Sequence, residues 1–303
     1  MRAAKVSCLL WGVASAATLS EIRIRDPFIL PDEPSKTYYM YASAHGPAGR
    51  GVGAYNSRDL KDWSELSLVF DASTMPQPPQ MVWAPEVHPF GGKYYLFTTL
   101  THGDGRQQKR GTYILVSGSP KGPFRPLRDR SHTPPDWMAL DGTLYVEEGV
   151  PWMVFCHEWV QITNGTMELV RLRPDLSDTA GAPATLFRAG DAPWVRELKP
   201  ARGLVTDGAF LHRTRSGKLV MIWSSFGDQG YAVGQAVSAS GKIAGPWSQA
   251  PERLFTEDGG HAMIFRTFDG KLMLTLHQPN SGGKERARLF QVDDSGDLLR
   301  IRR

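Results

Sequence analysis

Apolar and aromatic residues along this chain come in short runs of four to seven, each introduced by a glycine or a short polar turn. Five such runs stand out: "SKTYYMYAS" (35–43), "GGKYYLFTT" (91–99), "GVPWMVFCH" (149–157), "SGKLVMIWSS" (216–225) and "DGKLMLTLH" (269–277). Their length and their aromatic and β-branched content predict strands, and no long stretch keeps a helical period. A second strand-like run precedes each of them: "DPFIL", "APEVHPF", "DGTLYV", "DGAFLHR" and "HAMIFRTF". The pattern therefore predicts five hairpins in order. A further outer strand ending in a turn with an aromatic residue recurs in "SRDLKDWS", "GPFRPL" and "GPWSQ". Units of about 50 to 60 residues built this way fit a radial array of four-stranded sheets. The predicted fold is all-β, a single five-bladed β-propeller over residues 21–303, with residues 1–20 as a leader or N-terminal extension.

In a propeller the first strand of each blade lines the central channel. The residues that open these inner strands are Asp26, Glu86, Asp141, Asp207 and His261. Taken alone, Asp26 before a proline reads as a turn former. Four acids and a histidine at matching places read differently, because clustered carboxylates are costly unless a cation, a shared proton or a chemical task compensates them. Acids spaced around a channel suit inverting glycoside hydrolysis, in which one carboxylate activates water and a protonated one serves the leaving group.

Composition narrows the field. The chain has 303 residues, 31 glycines, 22 prolines and a net charge of only +4. Its basic residues are scattered, so no nucleic-acid footprint is expected. No stretch after the N-terminus is long and apolar enough to span a membrane, and no membrane partner is expected. Nine Trp and nine Tyr supply faces for cores and for sugar rings. Cys8 and Cys156 lack the spacing of a zinc or redox site, and Cys156 reads as a small buried hydrophobe. "MRAAKVSCLLWGVASAAT" resembles a secretory leader, which places the protein outside the cell or in the periplasm if it functions and in the cytoplasm otherwise.

With "RDPFI", "WAPEVH", "LDGTLYV" and "GGHAMIFR" in this order and spacing, the chain resembles glycoside hydrolase family 43 from about Ile22 onward. That family comprises five-bladed propeller arabinofuranosidases, xylosidases and arabinanases. The resemblance implies that Asp26 is the general base and that Asp141 orients the acid and keeps its pKa high. The family's acid is usually a Glu in a blade-four "EGP" or "EAP" motif; here the matching "TDGAF" carries Asp207, one methylene shorter. Asp191 in "GDAPWV" and Glu197 in "WVRELKP" are the alternative acids, though no repeat hairpin follows either directly.

His261 resembles the blade-five histidine that helps hold a channel cation, commonly calcium, through water; the alternative is a core histidine satisfied by backbone groups. No cofactor is required for the chemistry. Trp83 looks like a sugar-subsite aromatic, and Glu86 like a structural neighbour. His102, Arg266, His277 and Gln278 could reach sugar hydroxyls, with turn and surface roles as the alternative. The implied function is inverting, exo-acting release of terminal pentose, as an α-L-arabinofuranosidase or β-D-xylosidase, from plant hemicellulose or pectin fragments. An endo-acting arabinanase and a non-catalytic carbohydrate-binding propeller are the alternatives, the latter because of the Glu-to-Asp departure. A WD or kelch interaction propeller lacks its expected motifs. The loops at 74–81 and 101–111 are candidate walls of the sugar site.

Overall fold

The computed structural model describes residues 16–45 and 50–302; most of the leader-like segment, with Cys8, lies outside the described residues. These form five four-stranded antiparallel sheets, each built from strands consecutive in sequence. Blade 1 holds β1 (Phe28–Asp32), β2 (Thr37–Ala44), β3 (Gly51–Ser57) and β4 (Ser67–Asp71). Blade 2 holds β5 (Met81–Phe90), β6 (Lys93–His102), β7 (Lys109–Ser117) and β8 (Arg125–Pro126). Blade 3 holds β9 (Ala139–Glu147), β10 (Val150–His157), β11 (Thr166–Arg171) and β12 (Ala184–Arg188). Blade 4 holds β13 (Asp207–Arg213), β14 (Leu219–Gly227), β15 (Gly230–Ser238) and β16 (Trp247–Gln249). Blade 5 holds β17 (Gly260–Arg266), β18 (Leu272–Gln278), β19 (Arg286–Asp293) and β20 (Arg300–Ile301). The five aromatic runs are the second strands, and the runs before them are the inner strands.

The second strands are apolar on both faces because they are covered on both faces. Met40, Tyr41, Leu96, Phe155 and Trp223 are fully buried between neighbouring sheets. Burying a side chain of this size is worth roughly 1.5 to 3 kcal/mol, so the inter-blade layers dominate the stability. The hydroxyl of Tyr41, drawn into one of these layers, donates to the Pro120 carbonyl at 2.8 Å. Among the described residues helix is confined to single turns, α1 (Trp159–Ile162) among them, in keeping with the missing helical period.

Two details differ from the sequence reading. "SRDLKDWS" is a turn, not the outer strand of blade 1, because the Asp59 carboxylate accepts from the Lys61 and Asp62 N–H groups and curls the backbone. The outer strand is β4, immediately after it. The N-terminal boundary also lies earlier than residue 21, since Ala17 already pairs with the buried Trp63. From there the segment runs to the seam between the first and last blades. Ile22 and Ile24 are buried, and Ile24 N–H donates to the Glu285 carbonyl at 3.1 Å. With no strand shared between blades 1 and 5, this segment and the side chains at the seam close the ring.

Candidate active site

At the channel mouth of each blade one residue, within the inner strand or just before it in blade 1, lies in the left-handed region: Asp26 (φ 49°), Ala84 (φ 45°), Asp141 (φ 56°), Gly208 (φ 47°) and His261 (φ 51°). In four blades the register with the second strand slips there, the mark of a β-bulge. A bulge turns a side chain that would point into an inter-blade layer toward the axis instead. Left-handed backbone is costly for residues with a Cβ and persists only where its surroundings enforce it.

The enforcement comes from the preceding blade. Asp141 N–H donates to Thr99 Oγ1 at 2.9 Å, Gly208 N–H to Asp141 Oδ2 at 3.0 Å and His261 N–H to Ser224 Oγ at 2.8 Å, while Asp26 N–H lies 3.2 Å from His277 Nδ1. In blades 3, 4 and 5 the amide freed from its sheet ladder is thus captured by a side chain next door.

This register corrects the sequence alignment. The residues equivalent to Asp26, Asp141 and His261 are Ala84 and Gly208, so Asp207 stands one position early and Glu86 two positions late. Glu86 is buried and paired with His88 Nε2 at 2.9 Å. Gly208 is the residue the bulge of blade 4 requires. Besides its positive φ, a Cβ there would come within 2.7 Å of the His261 ring.

Asp26, Asp141, Asp207 and His261 are brought together. His261 Nδ1 lies 3.3 Å from Asp26 Oδ1 and 3.7 Å from Asp141 Oδ2. Facing two acceptors, that nitrogen carries a proton. His277, fully buried, places its own Nδ1 3.2 Å from Asp26 Oδ1 and its Nε2 3.1 Å from Asn280 Oδ1. Burial opposes ionisation of Asp26, yet His261, His277 and Arg25 outweigh it and hold this carboxyl well below the usual carboxylate range. Asp207 is the opposite case: burial first, then the charge of Asp141, pushes its pKa up to about 7. The Tyr231 hydroxyl donates to Asp207 Oδ2 at 2.8 Å.

Burial and the Asp26 charge also raise Asp141, against the pull of the Gly208 N–H. Burial and like charge raise both Asp141 and Asp207, so this buried pair retains a proton. One carboxyl held ionised and another held protonated are what acid–base catalysis across a glycosidic bond needs.

The remaining sequence candidates separate clearly. Trp83 is partly exposed, and the Arg110 guanidinium sits over its ring at 4.3 Å. Arg110 also pairs with Glu158, a buried acid whose pKa is raised by burial against the opposing Arg110 charge. Asp191 is exposed and caps a turn by accepting from Arg188 N–H at 2.8 Å. Glu197 is exposed and lies 3.6 Å from Arg202. Neither side chain is buried. Among the described residues no group of three or more His, Cys, Asp or Glu side chains is arranged to hold a metal ion. The Nδ1 of His261 is engaged with the carboxylates of Asp26 and Asp141.

Tyr231, Glu158 and Arg110 carry no signal of their own in the sequence, and His277 reads there as a residue that could reach sugar hydroxyls or serve a turn or surface role; the structure buries it beside Asp26. Only the double glycine before His261 hints at Tyr231, because a Cβ on Gly260 would collide with the Tyr231 ring.

A family model described as "Glycosyl hydrolases family 43" matches residues 18–292. Among solved structures, an endo-arabinase from Bacteroides thetaiotaomicron VPI-5482 is 45% identical, covering 90% of this chain and 95% of that one, with a TM-score of 0.83. An extracellular endo-α-(1→5)-L-arabinanase of Bacillus subtilis (strain 168) is 23% identical over 208 residues, which span 62% of this chain and 61% of the relative. An extracellular exo-α-(1→5)-L-arabinofuranosidase of Cellvibrio japonicus (strain Ueda107) is 21% identical over 302 residues, covering 86% of this chain and 80% of the relative.

Proposed function

Because this chain belongs to the glycosyl hydrolases of family 43, a family of inverting glycosidases, we propose that it cleaves α-1,5-linked L-arabinan at internal bonds. Asp26 is the general base and Asp207 the general acid. The observation that carries the chemistry is the split between the two: Asp26 held ionised by His261, His277 and Arg25, and Asp207 held protonated up to about pH 7. In the inverting reaction Asp26 takes a proton from water as its oxygen bonds to the anomeric carbon. Asp207 gives its proton to the departing glycosidic oxygen on the other side. Asp141 keeps Asp207 protonated by like charge, and through the Gly208 N–H it positions the backbone that carries it.

The endo-acting reading replaces the exo-acting one suggested by the sequence. Its support is the 45% identity to an endo-arabinase over nearly the whole of both chains, against 21% to the exo-acting relative. Linear α-1,5-arabinan distinguishes the two by its early products. An endo-acting enzyme produces a spread of oligosaccharides and a rapid fall in viscosity while little arabinose has formed. Arabinose or a single short product from the first time point would overturn the endo-acting reading, and failure to cleave any arabinan would overturn the substrate.

Trp83 serves as a sugar platform, with one face covered by Arg110 so that its ring is held in place. Trp83→Ala is expected to raise KM for arabinan by about tenfold, equivalent to about 1.4 kcal/mol of lost stacking. The pH profile should not move, because the Trp83 ring carries no proton in the reaction. A changed kcat with an unchanged KM would place Trp83 outside the sugar site.

A further inference from the structure

The aspartate at the acid position is a methylene shorter than glutamate, so its carboxyl has less reach and its direction matters more. In this protein a group on the third strand of blade 4 holds that direction. Tyr231, 2% exposed, donates its hydroxyl to Asp207 Oδ2 at 2.8 Å. Its ring lies nearly parallel to that of His277, with centroids 5.7 Å apart and an interplanar angle of 18°. Its backbone is pinned on both sides: the N–H donates to Asp258 Oδ1 at 3.2 Å and the carbonyl accepts from Gly259 N–H at 3.0 Å. Space for the ring exists only because residue 260, which opens the inner strand of blade 5, has no Cβ.

We propose that Tyr231 is the positioning residue of the general acid, a role that rests on the assignment of Asp207 above. By donating to Oδ2 it fixes the carboxyl rotamer and leaves Oδ1 as the oxygen that carries the proton and delivers it to the leaving group. Through the ring of His277, whose Nδ1 faces Asp26, the same tyrosine holds the acid and the base at a set spacing. No covalent step is involved.

The hydrogen bond has a sign. A hydroxyl that donates to a carboxyl favours the ionised form, so Tyr231 lowers the pKa of Asp207 while the other neighbours set the opposing balance. The groups that face Asp207 are Asp141 from β9, Cys156 from β10, Glu158 beyond the end of β10, and His261 from β17. Burial and the like charge of Asp141 and Glu158 raise it; His261 and Tyr231 lower it.

Tyr231→Phe keeps the ring and its stacking and removes only the hydroxyl. On arabinan it is expected to lower kcat about tenfold with KM little changed. The alkaline limb of the rate profile should shift upward by about one pH unit, the size expected for loss of one hydrogen bond to a charged group. The loss should shrink on an aryl arabino-oligosaccharide whose leaving group needs little protonation. Asp207→Ala, assayed on the same two substrates, separates the possible failures. If Asp207→Ala shows the leaving-group dependence while Tyr231→Phe leaves both the alkaline limb and the substrate ratio unchanged, the positioning role is wrong and the acid assignment stands. If Asp207→Ala lacks that dependence, the acid assignment itself falls and takes the positioning role with it. A folded Tyr231→Phe protein with only a lowered Tm would mean that the hydroxyl is structural.

Discussion

Asp26→Asn is expected to lower kcat on arabinan by about a thousandfold or more, because an amide of the same shape cannot take a proton from water. The fold should survive, since Asn keeps the volume of the side chain and its backbone N–H still reaches His277. Some stability should nevertheless go. The carboxyl of Asp26 is held below its ordinary range, so its ionised form stabilises the native state at neutral pH, and that contribution fades as pH falls through the native value. The asparagine variant loses it at every pH. Circular dichroism and thermal denaturation establish that the variant is folded, and initial rates on arabinan then decide the role. Activity within about tenfold of the parent, a barrier change of only about 1.4 kcal/mol, would exclude Asp26 as the base.

For Asp207→Ala, the expected result is a divergence between substrates. Hydrolysis of arabinan needs protonation of an alkoxide-like leaving group and should fall by about 10² to 10⁴-fold, whereas an aryl arabino-oligosaccharide with a weakly basic phenolate should keep much of its rate. Asp191→Ala and Glu197→Ala should leave the substrate ratio unchanged, since one caps an exposed turn and the other is an exposed partner of Arg202. The parent enzyme should show the same chemistry in its pH profile. Asp207 is competent only while protonated, so the rate on arabinan should fall about tenfold per unit above the alkaline pKa near 7. The aryl substrate should be flatter over that range. A profile on arabinan that stays level well above pH 7, or equal losses of Asp207→Ala on both substrates, would remove Asp207 from the acid role.

The same shift has a cost in stability with a definite direction. Because the native pKa of Asp207 is raised from 3.8 to about 7, the native state binds more protons than the unfolded chain between those values, and this residue's contribution to stability declines as pH rises through that window. Asp26 acts in the opposite sense and at lower pH. The site therefore favours a mildly acidic working range, where the base is ionised and the acid is not.

Much of this protein was legible before any coordinates. Short apolar runs, each preceded by a turn and repeated five times, can bury themselves only by stacking sheet on sheet, and that periodicity determines the propeller and which strand of each blade faces the channel. The placement of Asp26, Asp141 and His261 follows directly, because each stands at the opening of an inner strand. What the tertiary structure alone decided is the register around the axis. A bulge adds a residue without leaving a mark in hydrophobic alternation, so Asp207 and Glu86 align with the other three in the sequence but not in space, and the glycine beside Asp207 takes the left-handed position. The partners that tune the cluster were equally hidden. His277 ends a second strand, Tyr231 begins a third, and Arg110 and Glu158 come from neighbouring blades; nothing in their own stretches of chain shows that they converge. The protonation of a buried carboxyl depends on which charges and hydrogen-bond donors stand within a few ångströms of it, and those distances exist only once the five blades have closed into a ring.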